Sequence, residues 1–72
     1  MNNKATKIYR LGRNIFTKRK SLGLSQNELA EKLDISREHL AKIETAKRTV
    51  SLDLLIEISD ALGVKVRDLI DF

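Results

Sequence analysis

Cysteine and proline are both absent from this 72-residue chain. Without thiols there can be no disulfide framework and no thiolate metal site, so a core of packed apolar side chains has to hold the fold. Without proline, and with only three glycines, helix boundaries must be set by Ser, Asp and a few glycines. Long apolar runs are missing too. The longest is Leu54, Leu55, Ile56, far below the roughly 20 residues of a membrane-spanning helix, so no membrane partner is expected. A chain this short supports one domain, 1–72, which excludes multi-domain enzymes.

Acidic residues are missing from the first 20 positions, which carry Lys4, Lys7, Arg10, Arg13, Lys18, Arg19 and Lys20. Residues 50–72 reverse the balance, with Asp53, Glu57, Asp60, Asp68 and Asp71 against Lys65 and Arg67. The net charge is +4. Such a dipolar molecule offers a basic end to polyanions, and nucleic acid is the first partner to consider. A basic, acid-free start is also the composition of an organelle transit peptide, but the first helix needs these residues, and a cytoplasmic protein is expected.

With 42% hydrophobic residues the chain is too apolar to be disordered. Ile8, Leu11, Ile15 and Leu22 recur on one face at a 3.6-residue period, predicting a helix over about 6–22, with 1–6 as a flexible arm. Ser25 and Glu28 have the spacing of a capping box, opening a second helix with Leu29, Ala30 and Leu33 on its apolar stripe. Asp34 and Ile35 break it. Ser36 caps a third helix over about 36–45, with Leu40 and Ile43 inward. Ser51 and Asp53 open a fourth, which buries Leu54, Leu55, Ile58 and Leu62 before Gly63. Val66, Leu69 and Ile70 form a short fifth, with Phe72 as a terminal anchor. No segment alternates as a strand would. The expected fold is all-α, a compact five-helix domain.

Helices two and three are separated by only two residues, so they must cross steeply as a helix-turn-helix. Ala30 permits close approach, Ile35 plugs the angle, and Asp34 occupies a position that needs positive φ. Residues 26–45, QNELAEKLDISREHLAKIET, resemble the helix-turn-helix of the Xre family, which includes phage Cro and immunity-repressor domains. The resemblance runs through Arg19, LGLSQ at 22–26 and SLDLLIEISDALGV at 51–64. It implies a repressor-like DNA-binding domain. Two departures stand out: the family usually has Gly where this chain has Asp34 and Ala46, and a left-handed backbone suits Ala46 less well than Asp34.

Arg19 and Glu44 place charges where the helical period expects apolar side chains. Mutual pairing in the interior is the economical explanation, which the resemblance also implies; the other is that each snorkels separately. With Leu40 and Ile43 inward, helix three turns Glu38, Ala41, Lys42 and Thr45 outward, with Arg37 and His39 on the flanks. If this helix enters the major groove as recognition helices do, Arg37 and Lys42 can donate to guanine and Glu38 can accept from cytosine, with His39 and Ala41 beside them. An ordinary solvated face with i,i+4 charge pairs has the same spacing. The resemblance favours recognition and implies that Gln26 binds phosphate. Ser36, Thr45, Lys47 and Arg48 are the other expected phosphate contacts.

The lone His39 has no ligand cluster around it, and neither a catalytic triad nor a phosphate loop is evident, so no metal, cofactor, small-molecule substrate or enzymatic activity is expected. The leading expectation is a sequence-specific transcriptional regulator, a repressor, acting as a homodimer on a pseudo-palindromic duplex operator, with pairing weak in solution and completed on DNA. A second reading is a protein-interaction module, such as an antitoxin or polymerase-associated factor, using an apolar patch around Ile56 and Phe72. A third is a nonspecific nucleic-acid coat, for which a base-directed Glu38 has no use.

Overall fold

The computed structural model describes residues 3–72, which form five helices and no strand. They are α1 (Asn3–Ser21), α2 (Gln26–Leu33), α3 (Arg37–Glu44), α4 (Leu52–Leu62) and α5 (Val66–Leu69). Local chemistry explains each boundary. Ser25 Oγ accepts from the Glu28 amide at 3.0 Å while Glu28 Oε1 accepts from the Ser25 amide at 2.8 Å, the reciprocal capping box that starts α2. Ser36 and Ser51 cap α3 and α4 without a reciprocal partner, accepting from the His39 amide at 2.9 Å and the Leu54 amide at 3.2 Å.

Asp34 ends α2 in the left-handed conformation, φ 55° and ψ 42°, and the chain turns straight into Ile35, whose amide donates to Ala30 O at 3.0 Å. The turn needs one left-handed residue, and the short polar side chain of Asp tolerates it. Gly63 supplies the corresponding residue after α4, at φ 69°.

The apolar stripes of all five helices converge. Ile15, Leu29, Leu33, Leu40, Ile43, Leu55, Ile58, Leu62 and Leu69 are buried, with Ala30 where α2 and α3 meet. Leu11, Leu24, Ile35, Leu54 and Val66 pack against this core while partly exposed.

Several boundaries differ from the sequence reading. The first helix begins at Asn3, so residues 3–6 are helical where an arm was expected; Met1 and Asn2 lie outside the described residues. Leu22, expected inward, is 47% exposed. It lies one residue past the end of α1, so the helical period no longer sets its direction, and Leu24 packs inward in its place. Ile70 is exposed for the same reason, just beyond α5. Phe72 remains 44% exposed. It shares a groove with Lys4, Lys7, Ile8 and Leu11, against the basic start of α1.

The acidic C-terminus is nevertheless tied down. Asn14 Nδ2 donates to Leu69 O at 2.8 Å and to Asp71 Oδ1 at 3.0 Å, and Arg10 Nη2 pairs with Asp71 Oδ2 at 3.2 Å. The end of α5 is thereby fastened across α1.

Candidate nucleic-acid interface

The surface expected to meet DNA is built outward from a buried ion pair. Arg19 is 4% exposed and Glu44 2%. Arg19 Nε donates to Glu44 Oε2 at 2.7 Å, Nη2 to Oε1 at 3.1 Å, and Nη1 to Leu24 O at 2.7 Å. This fork-to-fork geometry satisfies both charges in the interior, and the separate-snorkelling alternative does not apply. Among the described residues no buried side-chain polar atom lacks a hydrogen-bond partner. The pair locks α1 to the end of α3, so the orientation of α3 follows from two side chains 25 positions apart.

The same carboxylate holds a third residue. Gln26 Nε2 donates to Glu44 Oε1 at 3.0 Å. Glu44 only accepts, so the amide must turn its nitrogen inward, and the second N–H on that nitrogen is left to point elsewhere. Gln26 is the first residue of α2, where unpaired backbone amides and the helix dipole favour an anion. The expected phosphate ligand is therefore held in place by the buried pair, a link that sequence spacing did not reveal.

The helix α3 keeps the predicted inner face, with Leu40, Ile43 and Glu44 buried, and Glu38 and Lys42 are exposed as expected. Arg37, expected on a flank, is exposed, and Ala41, expected outward, is half-buried, as is His39. Ser36 Oγ accepts from His39, which leaves its hydroxyl proton available to a phosphate oxygen. Thr45 differs, because its hydroxyl donates to Ala41 O at 2.8 Å. It would have to give up that bond to donate to phosphate.

Beyond Glu44 the backbone reverses through Ala46 at φ 61°, and the Lys47 amide closes the helix by donating to Lys42 O at 2.8 Å. Lys47 and Arg48 follow, both exposed. Arg48 also lines a crevice of about 90 Å³ with Ile8, Gly12 and Val50. Among the described residues the ion pairs are Arg19–Glu44 and Arg10–Asp71, so Arg37, Lys42, Lys47 and Arg48 carry no acidic partner.

Gly12 had no assigned role in the sequence reading, yet it sets how α1 and α3 approach. A Cβ there would lie 2.6 Å from Ile43 O and 2.8 Å from Glu44 O, backbone atoms that cannot swing aside. The signal was an interior helical glycine on the face of Ile8 and Ile15, legible only if that face is known to meet a backbone. Among the described residues Glu28 is the one group whose acidity shifts clearly. The Ser25 amide, then the Ser25 hydroxyl and Lys32, stabilise its carboxylate and hold its pKa below the ordinary value.

Among the described residues no three His, Cys, Asp or Glu side chains gather to hold a metal, and no helix is long and apolar enough to cross a membrane.

Solved structures with this helix arrangement include the restriction-modification controller protein C.AhdI from Aeromonas hydrophila. It superposes with a TM-score of 0.85 at 28% identity, over 89% of this chain and 97% of that one. The biofilm master regulator SinR, solved in complex with DNA, superposes with a TM-score of 0.77 at 35% identity, over 82% of this chain and 95% of that one. In sequence, the control protein C.BamHI of Bacillus amyloliquefaciens is 47% identical over 49 residues, which cover 68% of this chain and 60% of that protein. The immunity repressor of Bacillus phage phi105 is 41% identical over 56 residues, covering 78% of this chain and 39% of that protein. The matched stretch thus spans less than two thirds of either relative. The helix-turn-helix family model HTH_3 matches residues 15–69, from the middle of α1 to the last residue of α5, and takes in the α2–α3 unit together with the buried pair that orients it; the chain belongs to this family.

Proposed function

We propose that this protein is a sequence-specific regulator of transcription, a repressor in the cytoplasm, that inserts α3 into the major groove of duplex DNA and catalyses no reaction. One observation carries the reading. Arg37, Glu38 and Lys42 stand exposed and, among the described residues, unpaired on the outer face of a helix whose inner face is locked by Arg19 and Glu44. Two donors and one acceptor on a rigid helix form a base-reading set, with His39 and Ala41 at its edges. Glu38 favours base reading over coating of the backbone, because a carboxylate facing phosphates would be repelled.

Around this set, Gln26, Ser36, Lys47 and Arg48 supply positioning contacts to phosphate, with Thr45 contributing if its hydroxyl turns outward. One α3 covers only a few base pairs, so two copies act together on a two-fold symmetric operator, with half-site centres about 34 Å apart. Leu52 and Ile56, one turn apart on α4 and 67% and 43% exposed, offer an apolar face for pairing. C.BamHI and the phage phi105 repressor are named for control and repression, which agrees with this role.

Selection of bound duplexes from a random pool tests the proposal. The expected result is a symmetric consensus with two half-sites one helical turn apart. Recovery of no sequence preference would overturn it, and capture of a protein partner with no affinity for duplex would move the chain to the interaction-module class.

A further inference from the structure

The helix α1 continues for 12 residues before the matched stretch begins at residue 15, and its exposed side is not uniform. Tyr9, Arg13, Phe16 and Lys20 recur at intervals of four, three and four, which places them on one face of the helix. The Arg13 guanidinium lies over the Phe16 ring at 4.4 Å from its centre, and the buried Arg19 guanidinium lies 5.2 Å from the same ring. Phe16 therefore sits against both an exposed cation and the buried Arg19 of the Arg19–Glu44–Gln26 group.

Arg10, only three residues away, is in a different state, because Asp71 neutralises it. Arg13 and Lys20 have no acidic partner among the described residues. The face also carries no carboxylate of its own, since residues 1–20 contain none.

We infer that this face of α1 is a second line of contact with the DNA backbone, in which Arg13, held on Phe16, and Lys20 each engage a phosphate beyond the one reached by Gln26. The inference rests on the DNA-binding reading above. Three features select a phosphodiester strand as the occupant. Its charges are all basic, its two cations stand about 10 Å apart along the helix axis, and through Phe16 it borders the Arg19–Glu44 pair that holds Gln26 at the start of α2. Stacking on Phe16 removes part of the conformational freedom that a free arginine would lose on binding. In this reading α3 occupies the groove and α1 meets only the backbone, so the row lengthens the footprint without changing the sequence read.

The test compares the salt dependence of binding to one selected duplex for the wild type, Arg13→Ala, Arg13→Lys and Arg10→Ala, with melting curves confirming that each is folded. Each phosphate contact contributes about 0.9 to the slope of log affinity against log salt. Arg13→Ala should make that slope shallower by about this amount and weaken all duplexes alike. Arg13→Lys should retain the slope, and Arg10→Ala should leave it unchanged. An unaltered slope in Arg13→Ala overturns the second contact line. Equal losses in Arg13→Ala and Arg10→Ala overturn it as well, because they would reflect general attraction. Failure of the wild type to bind any duplex would instead refute the DNA-binding reading itself.

Discussion

Arg19 Nε and Glu44 Oε2 meet at 2.7 Å inside a domain that buries no other ion pair among its described residues. Removing either partner leaves the other charged, desolvated and unpaired, at a cost of about 3–5 kcal/mol. A domain of this size has roughly 4–10 kcal/mol of stability in all. Arg19→Ala and Glu44→Ala should therefore be largely unfolded in mild denaturant, as measured by circular dichroism. An apolar pair of matching volume should recover much of the loss. A single variant that melts within a degree or two of wild type would contradict the buried placement.

Gly12 tests how closely α1 must approach α3. Alanine is intrinsically better in a helix by about 1 kcal/mol. Its Cβ, however, would fall 2.6 Å from Ile43 O, and forcing the helices apart costs about 1–3 kcal/mol. Gly12→Ala should lower the melting temperature, and Gly12→Val should lower it further. A rise in the alanine variant would show that the two helices separate freely.

Ala46 predicts the opposite sign. Its left-handed φ of 61° costs an L-residue about 1–2 kcal/mol, part of which glycine returns through its freer unfolded chain. Ala46→Gly should gain about 0.5–1 kcal/mol and raise the melting temperature by roughly 2–8 °C. A loss of stability would mean that the alanine methyl makes a packing contribution larger than the backbone strain.

Glu28 ties stability to acid. Its folded pKa is depressed, so its contribution is present above the unfolded pKa and disappears as pH falls through the folded one. Glutamine preserves the capping-box hydrogen bond without the charge. Glu28→Gln should therefore show a shallower loss of melting temperature than wild type as pH falls below about 4.5. Superimposable acid profiles would remove the carboxylate from the helix cap.

Much of this was legible in the sequence because it is local. The Ser25–Glu28 cap, the left-handed Asp34 turn and the division of α3 into inner and outer faces each depend on residues within a few positions of one another. Arg19 and Glu44 were visible as charges interrupting apolar stripes. What escaped depends on which helices cross and where. The role of Gly12 requires the α3 backbone to lie against it, and Asn14 meets Leu69 across 55 positions. The bond from Gln26 to Glu44 follows only once the ion pair has fixed the carboxylate. Leu22 and Ile70 were misplaced because a helical period holds only up to the last helical residue, and each lies just beyond it.

The central claim is that α3 reads bases while the residues after it grip the backbone. The most direct measurement is a binding selection run in parallel on the wild type, Arg37→Ala, Glu38→Ala and Arg48→Ala. The account predicts that Arg37→Ala and Glu38→Ala each relax preference at one or two positions per half-site, worth about 1–3 kcal/mol, while Arg48→Ala weakens all sequences alike. Unchanged preferences in the first two, with a shifted preference in Arg48→Ala, would contradict it.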